Sequence, residues 1–228
     1  MKRIPLFIIT LLFISCQTIP VINPTVQPAD EKNLICPSPF LKEKTQLVHA
    51  IETSLQGDTQ SAIIGITVAD PATRFISSAL MTSEGIVLLE VQSAAGQLKV
   101  DRALPPFDSG DFAKKMIDDI DLIFFAPQGV MQKRGKLADG SIVCRWHTPN
   151  GEWVDVIAAG PGTVEIKKYL SSGSLKRHVK IQEKSGNAYQ SVELQANEMV
   201  SFTLLMTLID AQPYRVELPI KERSKGLK

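Results

Sequence analysis

From residue 45 to about residue 214 the chain runs in short stretches of alternating apolar and polar side chains, broken again and again by turn signals. A period of two places successive side chains on opposite faces, so each stretch reads as a half-buried strand rather than a helix. The runs 46–55, 61–69, 74–81, 86–92 and 97–103 come first; in the second, Ile64, Ile66 and Val68 share a face. After an interruption, 141–148 and 152–159 are joined by Pro149-Asn150-Gly151, and 163–170 and 174–183 by Ser171-Ser172-Gly173. Asn-Gly between two such runs is a strong hairpin signal. The runs 192–196 and 202–210 complete about eleven strands. Linked mostly by hairpins, they predict an antiparallel meander, and curling toward closure would hide its edges.

The interruption has a different period. Pro105-Pro106 stops the strands, and Phe112, Met116 and Ile120 then fall at i, i+4 and i+8, with Ile117, Ile123 and Phe124 widening the stripe. This predicts one amphipathic helix over 107–126, ended by Pro127, whose apolar face must lie on another element. Asp108 or Ser109 is placed to cap its first turn, Asp111 complements its dipole, and Asp118, Asp119 and Asp121 fall on its polar, solvated side. The expected class is therefore mainly β: an incomplete antiparallel β-barrel lidded by this helix.

The amino terminus reads as an address. Lys2 and Arg3 precede a nearly unbroken apolar run, 4–14, too short for the roughly 20 residues that span a bilayer. It ends in Ser15-Cys16, a small residue before a cysteine, which resembles the lipobox of bacterial lipoproteins; Phe13 stands where that motif usually has Leu. The resemblance implies cleavage before Cys16, palmitate-type acyl chains on it, and stable membrane attachment through more than one chain. Gln17 in place of Asp implies the outer membrane, lipid-anchored on its periplasmic face. The expected organisation is a signal peptide (1–15), the lipidated Cys16 with a proline-rich tether (16–44), one β domain (45–220) and a short basic tail (221–228).

Composition then removes whole classes of function. Lys plus Arg is 25 and Asp plus Glu 24; Lys2 and Arg3 leave with the signal, so the remaining chain has no basic excess for a phosphate backbone. A nucleic-acid partner is not expected. The chain has no Gly-x-Ser-x-Gly elbow, no His-Glu-x-x-His, no Cys-x-x-Cys and no glycine-rich phosphate loop, so no catalytic residue, metal or cofactor is expected. Cys144 and Trp146 share one face of a strand while His147 points away, which disfavours a thiolate pair. In an oxidising compartment Cys36 and Cys144 can form a disulfide or remain two thiols; the sequence leaves both open.

Phe202, Leu204, Met206 and Leu208 occupy one face of the last long strand, and the other face is largely apolar too. Such strands are covered on both sides or border a lumen. A lumen suits an acyl chain; a packed core is the alternative.

The lipobox, the period-two body, the single helix and the late hairpins together resemble the LolA/LolB-type fold, and within it a group of small bacterial outer-membrane lipoproteins. The likeness covers residues 45–214 and rests on Leu80 to Gly85, on the strand–turn–strand 86–102, on Ala103-Leu104-Pro105, and on Asp119-Ile120-Asp121-Leu122. It implies a half-open barrel that binds or transfers an acyl chain or another lipophilic ligand without catalysis. The expected lining is Ile64, Ile66, Leu89, Val91, Phe112, Met116, Ile120, Leu204, Met206 and Leu208. The family's outer-membrane receptor carries a Pro-Leu-Gly turn whose Leu enters the membrane. Ser83-Glu84-Gly85 stands there in this chain, and Glu84 is costly to insert, so the resemblance implies lipid binding without that insertion role. The alternative is an accessory lipoprotein with a packed barrel that docks onto an envelope protein complex.

Overall fold

The computed structural model describes residues 19–23, 34–55, 58–183, 189–197 and 201–214. The expected signal peptide 1–15, the expected lipidation site Cys16 and the basic tail 221–228 lie outside them. The first five strands are β1 (Thr45–Leu55), β2 (Asp58–Asp70), β3 (Phe75–Met81), β4 (Val87–Ala94) and β5 (Gln97–Ala103). Helix α1 (Phe112–Phe124) follows. The remaining strands are β6 (Val130–Lys136), β7 (Ile142–His147), β8 (Trp153–Gly160), β9 (Thr163–Tyr169), β10 (Leu175–Glu183), β11 (Tyr189–Ala196) and β12 (Phe202–Pro213). All twelve form one antiparallel sheet in the order β5-β4-β3-β2-β1-β12-β11-β10-β9-β8-β7-β6. Two meanders thus meet at the β1–β12 pair, and β5 and β6 are the outermost strands of an unclosed sheet. The strand beyond the eleven expected is β6: Val-Met-Gln-Lys-Arg-Gly-Lys does not alternate, and most of it is exposed.

Register shows which face each strand buries. His49 stands opposite Gly65 and Leu208, Gly65 opposite Leu80, and Leu80 opposite Leu89. The neighbouring inner rows include Thr67, Ser78 and Val91, then Ile51, Met206 and Val192. Leu89, Val91, Val156, Ile166, Val179 and Leu194 of this face have no exposed surface. On β2 the parity is the reverse of the one expected. Gly65, Thr67 and Ala69 are buried on the concave side, while Ile64, Ile66 and Val68 stand half-buried on the convex side. The reason is space. A Cβ on Gly65 would lie 2.6 Å from Ile51 Cδ1, so the neighbour's side chain already occupies that volume. Thr67 and Ser78 settle their buried hydroxyls on each other at 3.0 Å, so two polar groups sit inside at little cost.

Helix α1 runs along the concave side, burying Ala113, Ile117, Ile120, Leu122, Ile123 and Phe124. It starts later than 107. Its N-cap is Asp111, with no side-chain cap bond, and Ser109 donates its hydroxyl to Pro106 O (3.0 Å), so neither Asp108 nor Ser109 caps as expected. The acidic residues also divide. Asp118 is exposed and pairs with Lys114 one turn earlier (2.9 Å). Asp121 instead takes the Arg74 guanidinium on both oxygens, at 2.6 and 2.5 Å, and Arg74 also donates to Ala126 O at 3.1 Å. Asp119 takes Arg177 Nε at 2.8 Å, and Arg177 is 3% exposed. Two carboxylates expected in solvent therefore tie the helix to the β2–β3 turn and to β10.

Two pieces of the proline-rich stretch lie against the sheet. Asn23 exchanges backbone hydrogen bonds with Lys136 (2.9 and 3.2 Å), Pro20 O accepts from Arg145 Nη2 (2.9 Å), and Ile22 packs with Val143 and Ile157 on the convex face. Farther on, Cys36 is disulfide-bonded to Cys144 with Cα atoms 5.8 Å apart, and Leu41 N donates to Phe124 O at 3.0 Å. A link across 108 residues restricts the unfolded chain by roughly 4–5 kcal/mol in the chain-entropy account.

Gly135 is where the convex contact is tightest: a Cβ there would meet the Asn23 carbonyl oxygen at 2.5 Å and Ile22 Cγ2 at 2.7 Å. G135A is expected to push residues 19–23 off the sheet at a cost of about 1–3 kcal/mol, typical of overpacking. Hydrogen exchange should show protection lost at Asn23 and Lys136, whose amides bond each other's carbonyls, and kept in β8 to β10; unchanged protection at Asn23 would refute this docking.

Candidate functional site

Between α1 and the concave face of β1, β2, β3, β11 and β12 lies a cavity of about 1000 Å³. The sheet contributes His49, Ile51, Thr53, Ile63, Thr67, Ser78, Leu80, Leu194, Phe202, Leu204 and Met206. The helix contributes Phe112, Lys115, Met116, Asp119, Ile120, Ile123 and Phe124, and the preceding loop Pro106, Phe107, Ser109, Gly110 and Asp111. The deep part is mainly apolar, its polar groups being His49 and the paired hydroxyls of Thr67 and Ser78, and the shallow part carries the charges. Leu80, Ile120, Ile123, Leu194 and Met206 are buried, whereas Pro106, Ser109, Gly110, Asp111 and Lys115 are exposed. The cavity therefore opens beside the start of α1, where the sheet ends in Phe202, Leu204 and Thr53.

Of the residues expected to line a lumen, Phe112, Met116, Ile120, Leu204 and Met206 do so. Leu89 and Val91 share the concave face but are sealed in the core, at 0% exposure each. Leu208 packs against the core without bordering the cavity. Ile64 and Ile66 point away, through the parity reversal on β2. The run Ala62-Ile63-Ile64-Gly65-Ile66 is apolar at both parities, so alternation could not choose a face; the small and hydroxylated positions Gly65 and Thr67 were the usable signal. Ile51, Ile63, Leu80, Phe107, Ile123 and Phe202 are wall residues that pattern reading missed.

The most deeply placed polar groups are His49 and its partners. Its ring lies 5.9 Å from both Phe124 and Tyr189 and near-parallel to each, and Nε2 is 2.8 Å from the Tyr189 hydroxyl. Burial among these rings pushes the His49 imidazole down to about 4 and raises the Tyr189 phenol. The imidazole is thus neutral at neutral pH, a hydrogen-bonding element of an apolar wall. Cys144 is taken up in its disulfide, and the His147 ring lies 4.5 Å from that of Trp153 across the hairpin, tilted by 50°.

A smaller hollow of about 180 Å³ adjoins the mouth and shares Asp111, Lys115 and Asp119 with it. Lys114, Asp118, Lys168, Lys176 and Arg177 complete its wall. Beside it Glu152 lies between Lys168 and Lys176 at 2.8 and 3.0 Å. Burial pushes that carboxyl up, and the two ammonium groups more than reverse this, leaving it below its ordinary value. Among the described residues no group of three or more His, Cys, Asp or Glu is placed to hold a metal ion, and no helix is long and apolar enough to cross a membrane.

No family model matches this chain, and no curated protein matches it. Among solved structures it is similar to the crystal structure of a LolA superfamily protein from Nitrosomonas europaea, at 12% identity over 78% of this chain and 89% of that one, with a TM-score of 0.49.

His49 makes folding pH-dependent. Its folded pKa, about 4, is below the ordinary 6.5, so between these values the unfolded chain binds a proton that the folded chain refuses. Stability is full above pH 6.5, falls as pH drops toward 4, and the loss through this residue is about 3 kcal/mol. Urea unfolding at pH 7 and pH 4 should show H49Q losing that much less than the parent chain; equal losses would mean the imidazole is not buried as neutral.

Proposed function

We propose that this chain is a non-enzymatic, outer-membrane lipoprotein of the periplasmic face, anchored through an acylated Cys16, that takes an acyl chain or another long lipophile into the cavity beneath α1. The cavity carries the reading. Its volume of about 1000 Å³ lies at the top of the range of roughly 300–1,000 Å³ found for small-molecule sites. Its depth is walled by Ile51, Leu80, Ile120, Ile123, Leu194 and Met206, with the neutral His49 and the mutually bonded Thr67 and Ser78 among them, and its charged side chains, Asp111, Lys115 and Asp119, lie toward the open end. That polarity gradient matches an amphiphile entering tail first. Each methylene moved from water into such a wall contributes about 0.8 kcal/mol, so half a fatty chain supplies useful affinity. In this reading α1 is the lid over the chain, and the ion pairs of Asp119 and Asp121 set its height above the sheet.

Native mass spectrometry of gently purified protein is expected to show a bound lipid, and apo protein is expected to take up palmitate. L204W and M206W put bulk into the cavity and should weaken palmitate binding tenfold or more, about 1.4 kcal/mol per decade. I66W, on the convex face, should leave it unchanged. A clean apo mass together with no palmitate uptake would overturn the reading.

A further inference from the structure

One end of the sheet carries both the mouth of the cavity and Ile19, the first residue of the docked segment 19–23. Antiparallel register puts the β7–β8, β9–β10 and β11–β12 connections, the β3–β4 turn and the start of α1 at that end. The exposed wall residues Pro106, Ser109, Gly110, Asp111 and Lys115 are there. Residues 19–23 run lengthwise along the convex face. Asn23 is bonded to Lys136 at the far end, Pro20 to Arg145 midway, and Ile19 lies beside Gly173 of the β9–β10 turn at the mouth end. Ile19, the first described residue, therefore lies at the mouth end.

Cys16 precedes Ile19 by three residues, a covalent reach of about 10 Å. β9 alone, Thr163–Tyr169, is about 23 Å long, so an anchor on Cys16 keeps the mouth end, and not the far end, within reach of the bilayer at every tilt of the domain while residues 19–23 stay docked. The surface of the mouth end fits this placement. Ile86, Leu104, Val130 and Leu170 are exposed there, at 56, 39, 66 and 41%, and Lys114 and Lys115 stand beside the opening. Exposed Glu84 at the same end keeps the contact within the headgroup layer.

We infer that this end is a membrane-docking surface: residues 19–23 act as a rigid strut that holds the cavity mouth against the lipid surface entered by the Cys16 acyl chains. The inference rests on the acylation and cavity readings above and adds an orientation that neither contains. It makes the substrate a lipid delivered from, or returned to, the supporting leaflet, with no travel through water.

The test uses the full-length acylated protein in vesicles of phosphatidylethanolamine and phosphatidylglycerol. A photo-crosslinking residue replaces Leu104 or Leu170 at the mouth end, or Leu98 or Ala138 at the far end. Lipid adducts are expected at Leu104 and Leu170 and none above background at Leu98 and Ala138. A flexible Gly-Ser insertion between Thr18 and Ile19 leaves the docked segment intact but frees the domain, and should abolish this end preference. Adducts equal at both ends before the insertion, or a preference unchanged after it, would overturn the strut while leaving palmitate binding untouched. Failure of the protein to float with vesicles would overturn the anchor and the strut together, and absence of palmitate uptake would instead overturn the cavity reading.

Discussion

Two guanidinium–carboxylate pairs, Arg74–Asp121 and Arg177–Asp119, hold α1 over an open sheet, and the hollow beneath it depends on them. A helix of 13 residues is marginal alone, and its place comes from tertiary contacts. Apolar contact by itself would draw the Phe112, Met116 and Ile120 stripe down until no space remained, because dispersion rewards close approach. The pairs act along the polar flank of the helix and fix its height. Arg177, 3% exposed, holds Asp119 at 2.8 Å, and this short contact between buried groups ties the helix to β10 at a set distance.

The sheet makes the complementary contribution. Gly65, Thr67 and Ser78 take little volume where the helix passes, while large aliphatic residues fill the concave face to either side. Moving Ile64 and Ile66 to the convex face is the same choice seen from behind: on a strand, bulk withdrawn from one side must appear on the other. His49, clustered with Phe124 and Tyr189 at 5.9 Å from each, closes the inner wall with its Nε2 2.8 Å from the Tyr189 hydroxyl.

An unclosed sheet leaves β5 and β6 as edges. The amino-terminal stretch answers part of that problem. Its first docked piece pairs with Lys136 of β6, and its second is held by Cys144 and by the end of α1. Proline density in the sequence suggested a spacer standing clear of the domain. Proline also suits an extended chain lying along an edge, since such a chain makes few ladder bonds.

Alternation and turn chemistry were enough to place eleven of the strands, the hairpins at Asn150-Gly151 and Gly173, and the one helix, because those signals are local and the period of a strand is written into its residues. Half of the expected cavity wall, Phe112, Met116, Ile120, Leu204 and Met206, followed from the same reasoning: on α1 and β12 the choice of face was unambiguous. β6 escaped because an edge strand need not bury either face. The parity of β2, the fates of Asp119 and Asp121, and the separation of Leu89 and Val91 from the hollow were decided by partners far away in the chain. Which segments extend and which one coils was legible in the order of residues. Where empty volume remains was not, since a cavity is set by the distance between packed elements, and that distance depends on charges and small residues brought together from Gly65 to Arg177.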